Sequence, residues 1–377
     1  MTFPIPVSIL TGFLGAGKTT LINRLLKDPA LNDAAVIINE FGDVGIDHLL
    51  VEQSSDGIIE LSDGCLCCTV RGELADTLSD LIDRLQTGKI KALSRIVIET
   101  TGLADPAPVL QAIMAHPVLM QALRIDGVIT VVDALNGDAT LNNHMEAVKQ
   151  AAMADRLVLT KTDMQKDKAA LDALKARLKA LNPGAALLLA TGHDANSASL
   201  LNCGLYDPAA KTPDVAKWLN EEAYRDRAHE REEHEHHEHS VHEHHAHEDV
   251  NRHDRSIHAF TLTHDRPIQG HALQMFLGLL QSAHGEKLLR MKGIICLADD
   301  PSRPLVIHAV QSTMHPPVRL KAWQDEDRRT RLVVIAKDMK ESFVRGLFDA
   351  FTGNVSVDRP DAAALVSNPL VSPLSRP

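Results

Sequence analysis

A chain of 377 residues, 44% hydrophobic and 24% charged, is long enough for two domains and ordinary for a globular protein. Its formal net charge of −11 comes without a basic stripe, which argues against a nucleic-acid partner, and no apolar run is long enough to cross a bilayer as a helix. Aromatic residues make up only 3%, so the core must be built mostly from Leu, Ile, Val and Ala. The opening MTFPIPVSIL lacks a basic leader and runs into a glycine-rich motif, so it is expected to be a first strand and not a signal peptide, in a cytoplasmic protein.

Strand-like apolar runs lie at residues 7–10, 35–39, 95–99, 127–132, 156–160 and 185–190. Near-continuous apolar runs of this kind suit parallel strands buried on both faces. Between them, Leu74, Leu78, Leu81, Ile82 and Leu85 mark one helix, and Leu171, Leu174, Leu178 and Leu181 another. The expectation is an α/β domain with a mostly parallel sheet over residues 1–205, binding its ligands at the C-terminal strand ends. Residues 206–255 are expected to be a linker carrying a histidine-rich run. A small C-terminal α+β domain is expected over 256–352, with strands at 256–263, 288–297, 305–312 and 331–337 and helices at 267–282 and 340–351. Residues 353–377, rich in Ala, Ser and Pro near the end, read as a flexible tail.

The chemistry starts at residues 12–20, GFLGAGKTT, directly after the first strand. Gly12, Gly17, Lys18 and Thr19 fill every fixed position of the phosphate-binding loop G-x-x-x-x-G-K-[ST]. Backbone N–H groups of Gly15, Ala16, Gly17 and Thr20 would face the phosphates, helped by the N-terminal end of the following helix. Lys18 is expected at the β- and γ-phosphates and the Thr19 hydroxyl on Mg²⁺. The third strand ends in Glu99-Thr100-Thr101-Gly102. Glu99 there can hold the shell of Mg²⁺, and Gly102 can offer its N–H to the γ-phosphate. The fifth strand ends in Thr160-Lys161-Thr162-Asp163, similar to the [NT]-K-x-D guanine signature, and the Asp163 carboxylate can accept from the ring N–H and the exocyclic amine of guanine. GTP is therefore expected over ATP.

Five cysteines include Cys65, Cys67 and Cys68, packed too closely for a disulfide framework and well placed to offer thiolates to a soft ion such as zinc. A further ligand is sought among Glu40, Asp43 and His48, in the loop after the second strand; Glu40 is the first choice. Cys203 and Cys296 read as isolated thiols. Nine histidines between His229 and His247 alternate with acidic residues, and His234, His236, His237, His239, His242, His244, His245 and His247 offer many weak, exchangeable imidazole sites. Zinc, cobalt and nickel all remain open on these ligands.

With these segments assembled, the chain resembles the CobW-type metallochaperone GTPases over essentially its whole length outside the histidine run and tail. GFLGAGKTT, NEFGDVGID, ELSDGCLCC, ETTGLADP and TKTD stand where that family carries them, and the segments around Lys292 and Arg331 are similar to its C-terminal domain. The resemblance implies a Mg²⁺-dependent GTPase with a metal at the G-C-x-C-C motif, delivered to a client metalloprotein; zinc is favoured because a thiolate cluster with a carboxylate or imidazole suits it. Cobalt delivery for cobalamin synthesis and a histidine-rich metal store are the alternatives. It implies no nucleic acid and no membrane, and a homodimer dependent on nucleotide or metal is compatible with it. Position 103 is Leu, with no Gln to orient a water and no evident arginine finger, so intrinsic hydrolysis is expected to be slow.

Overall fold

The computed structural model describes residues 4–39, 58–61, 69–191, 194–203, 219, 256–323 and 326–353. Of the segments singled out above, Glu40, Asp43, His48, the three clustered cysteines, the histidine run and residues 354–377 lie outside the described residues.

The N-terminal half is an open sheet of seven parallel strands: β1 (Ile5–Gly12), β2 (Ala34–Asn39), β3 (Ile58–Leu61), β4 (Arg95–Thr100), β5 (Leu123–Asp133), β6 (Arg156–Thr160) and β7 (Ala186–Leu189). Their order is β3-β2-β4-β1-β5-β6-β7. All six expected strands are present, and β3 adds a seventh at the edge. Sequence gave β3 no signal because only four residues pair. The fourth expected run, 127–132, is the middle of the 11-residue β5.

The helices are α1 (Lys18–Leu25), α2 (Thr69–Gln86), α3 (Ala107–Ala115), α4 (Pro117–Ala122), α5 (Gly137–Asn143), α6 (Met145–Ala152), α7 (Lys168–Leu181) and the one-turn α8 (Ser197–Leu200). They cover both sheet faces. On one, Leu21, Ile22 and Leu25 of α1 pack with Leu10, Val131 and Val158; on the other, Leu74, Leu78 and Ile82 of α2 pack with Ile37, Ile96 and Ile98. The chain leaves β1 toward β2 on one side and returns past it to β5 on the other, so β1 ends at the topological switch point where such sheets bind ligands.

The C-terminal half contains β8 (Ile257–His264), α9 (Gly270–His284), β9 (Leu288–Ile295), β10 (Leu305–Val310), β11 (Thr313–Met314), β12 (Val318–Arg319), β13 (Thr330–Lys337) and α10 (Glu341–Thr352). The sheet is antiparallel, ordered β11-β10-β9-β13-β8, with β12 also on β10. Two expectations shift here. The helix starts at Gly270 and not at 267, because Ile268 is held in a bridge to Leu297. The strand expected to reach 312 stops at Val310, because Gln311 turns with φ 52 into β11.

Alternation in β9 and β13 explains how the halves meet. Met291, Ile295, Leu332 and Val334 point under α9 and α10, where Phe276 and Phe348 meet edge to face at 5.1 Å. Ile294, Val333 and Ile335 point the other way and join the core of the first domain. On that face Arg290 and Lys292 of β9 reach Asp155, just before β6; Arg290 Nη2 donates to it at 2.8 Å, and Arg290 Nη1 donates to the Met153 carbonyl at 2.6 Å. Leu219, from within the expected linker, is buried against this junction beside Ala154 and Arg290.

Candidate nucleotide site

The phosphate loop bridges β1 and α1. Gly17 is the N-cap of α1 in the left-handed region, φ 97, and no side chain caps the helix. A helix end of this kind is electropositive and suits an anionic acceptor. Lys18 folds back over the loop, its Nζ donating to the Gly12 carbonyl at 3.1 Å and to Phe13 O at 3.5 Å. Ala16 N donates to Phe13 O at 3.2 Å, closing the turn. Thr19 sits half-buried in the first turn of α1, and Thr20 faces outward.

The loop is tied to the base side of the cleft. The Thr160 hydroxyl, at the end of β6, donates to the Ala16 carbonyl at 2.6 Å. Lys161 adopts φ 55, and its Nζ donates to Gly15 O at 2.9 Å and pairs with Asp133 at 2.7 Å. Asp133, the last residue of β5, also accepts from Leu135 N at 2.7 Å and from Asn136 Nδ2 at 3.0 Å. Burial works against its ionisation, but these donors and the Lys161 charge hold its carboxyl below the usual range. Thr162 and Thr191 share a hydroxyl bond at 2.6 Å. Asp163 is exposed. Thr160 and Lys161 thus lie against the phosphate loop itself, with Asp163 two residues beyond.

On the γ-phosphate side, Glu99 is buried at the end of β4, in register with Leu10 of β1, and the Thr100 hydroxyl donates to Thr11 Oγ1 at 2.8 Å. The turn that follows lies on the loop: a Cβ on Gly102 would stand 2.5 Å from Leu14 N, so only glycine fits. The Thr19 hydroxyl and the Glu99 carboxylate are hard oxygen donors of the kind Mg²⁺ takes, so the donor set fits that ion.

Two residues of the site were not singled out from sequence. Asp133 ends an apolar run just as Glu99 does, and that polar strand end was a usable signal. Gln150, whose Nε2 donates to Gly102 O at 3.2 Å and Ala104 O at 2.9 Å, sits among alanines in α6 and carries no signal of its own. No cluster of three or more metal-ligating side chains occurs among the described residues, and the cysteine motif and Glu40 lie outside them. Cys203 and Cys296 are free thiols. Burial and nearby Asp155 push the Cys203 thiol up to about 12, which suits a packed residue and not a reactive one.

A parallel sheet with its phosphate loop at the switch point defines a P-loop GTPase domain. Residues 6–188 match the family described as CobW/HypB/UreG, nucleotide-binding domain, and residues 257–352 match the cobalamin synthesis protein cobW C-terminal domain. The chain is 32% identical over 345 residues to the zinc chaperone YjiA of Escherichia coli (strain K12), covering 92% of this chain and 98% of that protein. It is 34% identical over 377 residues to the zinc chaperone CobW of Pseudomonas aeruginosa, covering 90% and 89%. The fold is similar to the crystal structure of Zn(II)-bound YjiA GTPase from E. coli, with 28% identity and a TM-score of 0.59 over 93% of this chain and 99% of that one. The chain belongs to the CobW-type metallochaperone GTPase family.

Proposed function

We propose that the protein is a GTP-hydrolysing metallochaperone that binds zinc through Cys65, Cys67, Cys68 and Glu40 and passes it to a client metalloprotein under nucleotide control. The observation that carries this reading is the register of the sheet. Asn39, the last residue of β2, pairs with Leu61 at the end of β3 on one side and with Thr100 at the end of β4 on the other. The strand ends after which Glu40 and the cysteines follow in sequence are therefore neighbours, and Asn39 lies beside the end of β4 where the Glu99–Gly102 motif stands. Zinc chaperone is also the name of both relatives above.

In this reading the α1 N-terminus and Lys18 hold the β- and γ-phosphates, the Gly102 N–H meets the γ-phosphate, and Asp163 reads guanine. Mg²⁺ on Thr19 and Glu99 supplies neutralising charge at the phosphates. Loss of the γ-phosphate frees the Gly102 turn, and with it the neighbouring strand ends that carry the zinc ligands. With Leu103 where a Gln would orient water, turnover without a client is slow. Zinc in the tight site and GTP in the cleft then alter each other's affinity reciprocally.

The test is the GTPase rate of purified protein with Mg²⁺, alone and with zinc, cobalt or nickel, alongside the Lys18→Ala variant. A guanine-specific rate that zinc changes most, and that Lys18→Ala abolishes, supports the reading; turnover surviving in that variant overturns it. The nine-histidine run favours a second reading, a metal store. Deleting residues 229–249 separates the two, because a chaperone keeps its tight site and its GTPase activity whereas a store loses its capacity.

A further inference from the structure

Helix α6 touches the nucleotide cleft at three points. Its N-cap His144 stacks on Phe13 of the phosphate loop, ring centroids 4.4 Å apart. Lys149 pairs with Asp105 at 3.2 Å, and Asp105 in turn accepts from Ala107 N at the start of α3. Gln150, 1% exposed, donates through Nε2 to the carbonyls of both Gly102 and Ala104. Its own carbonyl accepts from the buried Thr130 hydroxyl at 2.7 Å, which fixes the helix to β5.

We propose that Gln150 is the positioning residue of the γ-phosphate turn: by holding the two carbonyls it sets the direction of the Gly102 N–H and makes the site discriminate GTP from GDP. The inference rests on the reading of Gly102 given above. The turn is clamped between two surfaces, Leu14 of the phosphate loop on one side and Gln150 on the other. The anchored Gly102 oxygen shares its peptide plane with the Leu103 N–H, so the bond fixes the plane on one side of Gly102 while Leu14 crowds the residue itself. With both restraints the Gly102 N–H on the adjoining plane has little room to turn, and the donor is preorganised for the phosphoryl oxygen. Beside the clamp lies a cavity of about 240 Å³, lined by Phe13, Leu14, Leu141 and Gln150 among others. The turn is closed by its own backbone, Ala104 N donating to Thr101 O at 3.1 Å, and the two Gln150 bonds and the Leu14 contact hold it in place between the phosphate loop and α6.

Gln150→Met keeps the volume and removes the donor. In a folded variant, judged by its circular dichroism and thermal transition, we expect kcat to fall at least about fivefold, the effect of losing two ordinary hydrogen bonds. The preference for GTPγS over GDP should fall by a similar factor, while the GDP Kd stays within about twofold. Gln150→Glu gives an independent readout. Its carboxyl can donate to a carbonyl only when protonated, so discrimination should be retained at low pH and lost as pH rises through its titration, a step the parent protein lacks; should Gln150→Met not fold, this profile decides. Parent-like kcat and discrimination in Gln150→Met, equal loss of both nucleotides, or no such step in Gln150→Glu would overturn the proposal. If Lys18→Ala kept its turnover, the nucleotide reading would fail; if Lys18→Ala is inactive and the Gln150 variants are silent, only the positioning role fails.

Discussion

Thr160 Oγ1 donates to the Ala16 carbonyl at 2.6 Å across 144 residues of sequence, and joins the end of β6 to the phosphate loop. An Asn in the first position of a guanine signature would offer a side-chain amide at this place, and Thr160 does the joining with a hydroxyl. Lys161, donating to Gly15 O, adds a second tie. Thr160→Val keeps the shape and removes the donor, leaving the buried Ala16 carbonyl short of a partner at a cost of about 1–3 kcal/mol. We expect the Kd for GDP to rise about tenfold with guanine preference intact. Isothermal titration checks this, and an unchanged Kd would show that the loop holds its form without β6.

Asp163 is exposed, so its substitution should leave stability within about 0.5 kcal/mol. Specificity should change instead. Asp163→Asn presents an amide that matches xanthine better than guanine, so competition assays should show weaker GTP binding and a gain for xanthosine triphosphate. Unchanged GTP preference would place guanine recognition on other residues.

The strands and the cleft differ in how far sequence reveals them. Buried parallel strands such as β2, AAVIIN, are apolar until their last residue, and each motif follows an apolar run, so the phosphate loop, the Glu99 turn and the Thr160 strand end are all local signals. Contacts made across the sequence leave no such trace. Gln150 finds Gly102 from 48 residues away, and Arg290 finds Asp155 from 135. The two charged residues in β9 look like exposed positions of a strand, yet Arg290 is buried and Lys292 half-buried because the first domain covers that face. The edge strand β3 was missed for a third reason, since four residues hold too little pattern to separate a strand from a loop.

Asp155 carries the junction between the domains. Its burial opposes ionisation, but the charges of Arg290 and Lys292 and the Val128 N–H hold its carboxyl well below the usual carboxylate range. A carboxyl depressed by folding contributes stability above its unfolded pKa of about 4, and that contribution is lost as pH falls toward the folded value. Asp155→Asn leaves the buried Arg290 and the half-buried Lys292 without their partner and should cost about 3–5 kcal/mol at neutral pH. The gap between parent and variant in urea unfolding should be full above about pH 4 and shrink below it. A gap independent of pH would mean that the residue acts through packing and not through its charge.

Zinc bound by Cys65, Cys67 and Cys68 as thiolates should release protons and weaken as pH falls. Imidazoles in the histidine run should lose metal first on acidification, near their ordinary pKa of about 6.5, because each site is singly weak. Replacing the three cysteines by Ser should therefore remove one tight, stoichiometric site and leave the weaker binding of the run. GTP should still bind, because Lys18, Thr160 and Asp163 are untouched. What should vanish with the cysteines is the dependence of zinc affinity on nucleotide. Titrating zinc against a chelating dye with GTPγS, with GDP and without nucleotide, in parent and triple variant, measures that dependence directly. Reciprocity adds an internal check, since any factor by which GTPγS changes zinc affinity must equal the factor by which zinc changes GTPγS affinity. If the parent binds zinc equally in all three states, the strand ends that leave Asn39 and Leu61 side by side transmit nothing, and the switch is wrong even where both sites exist.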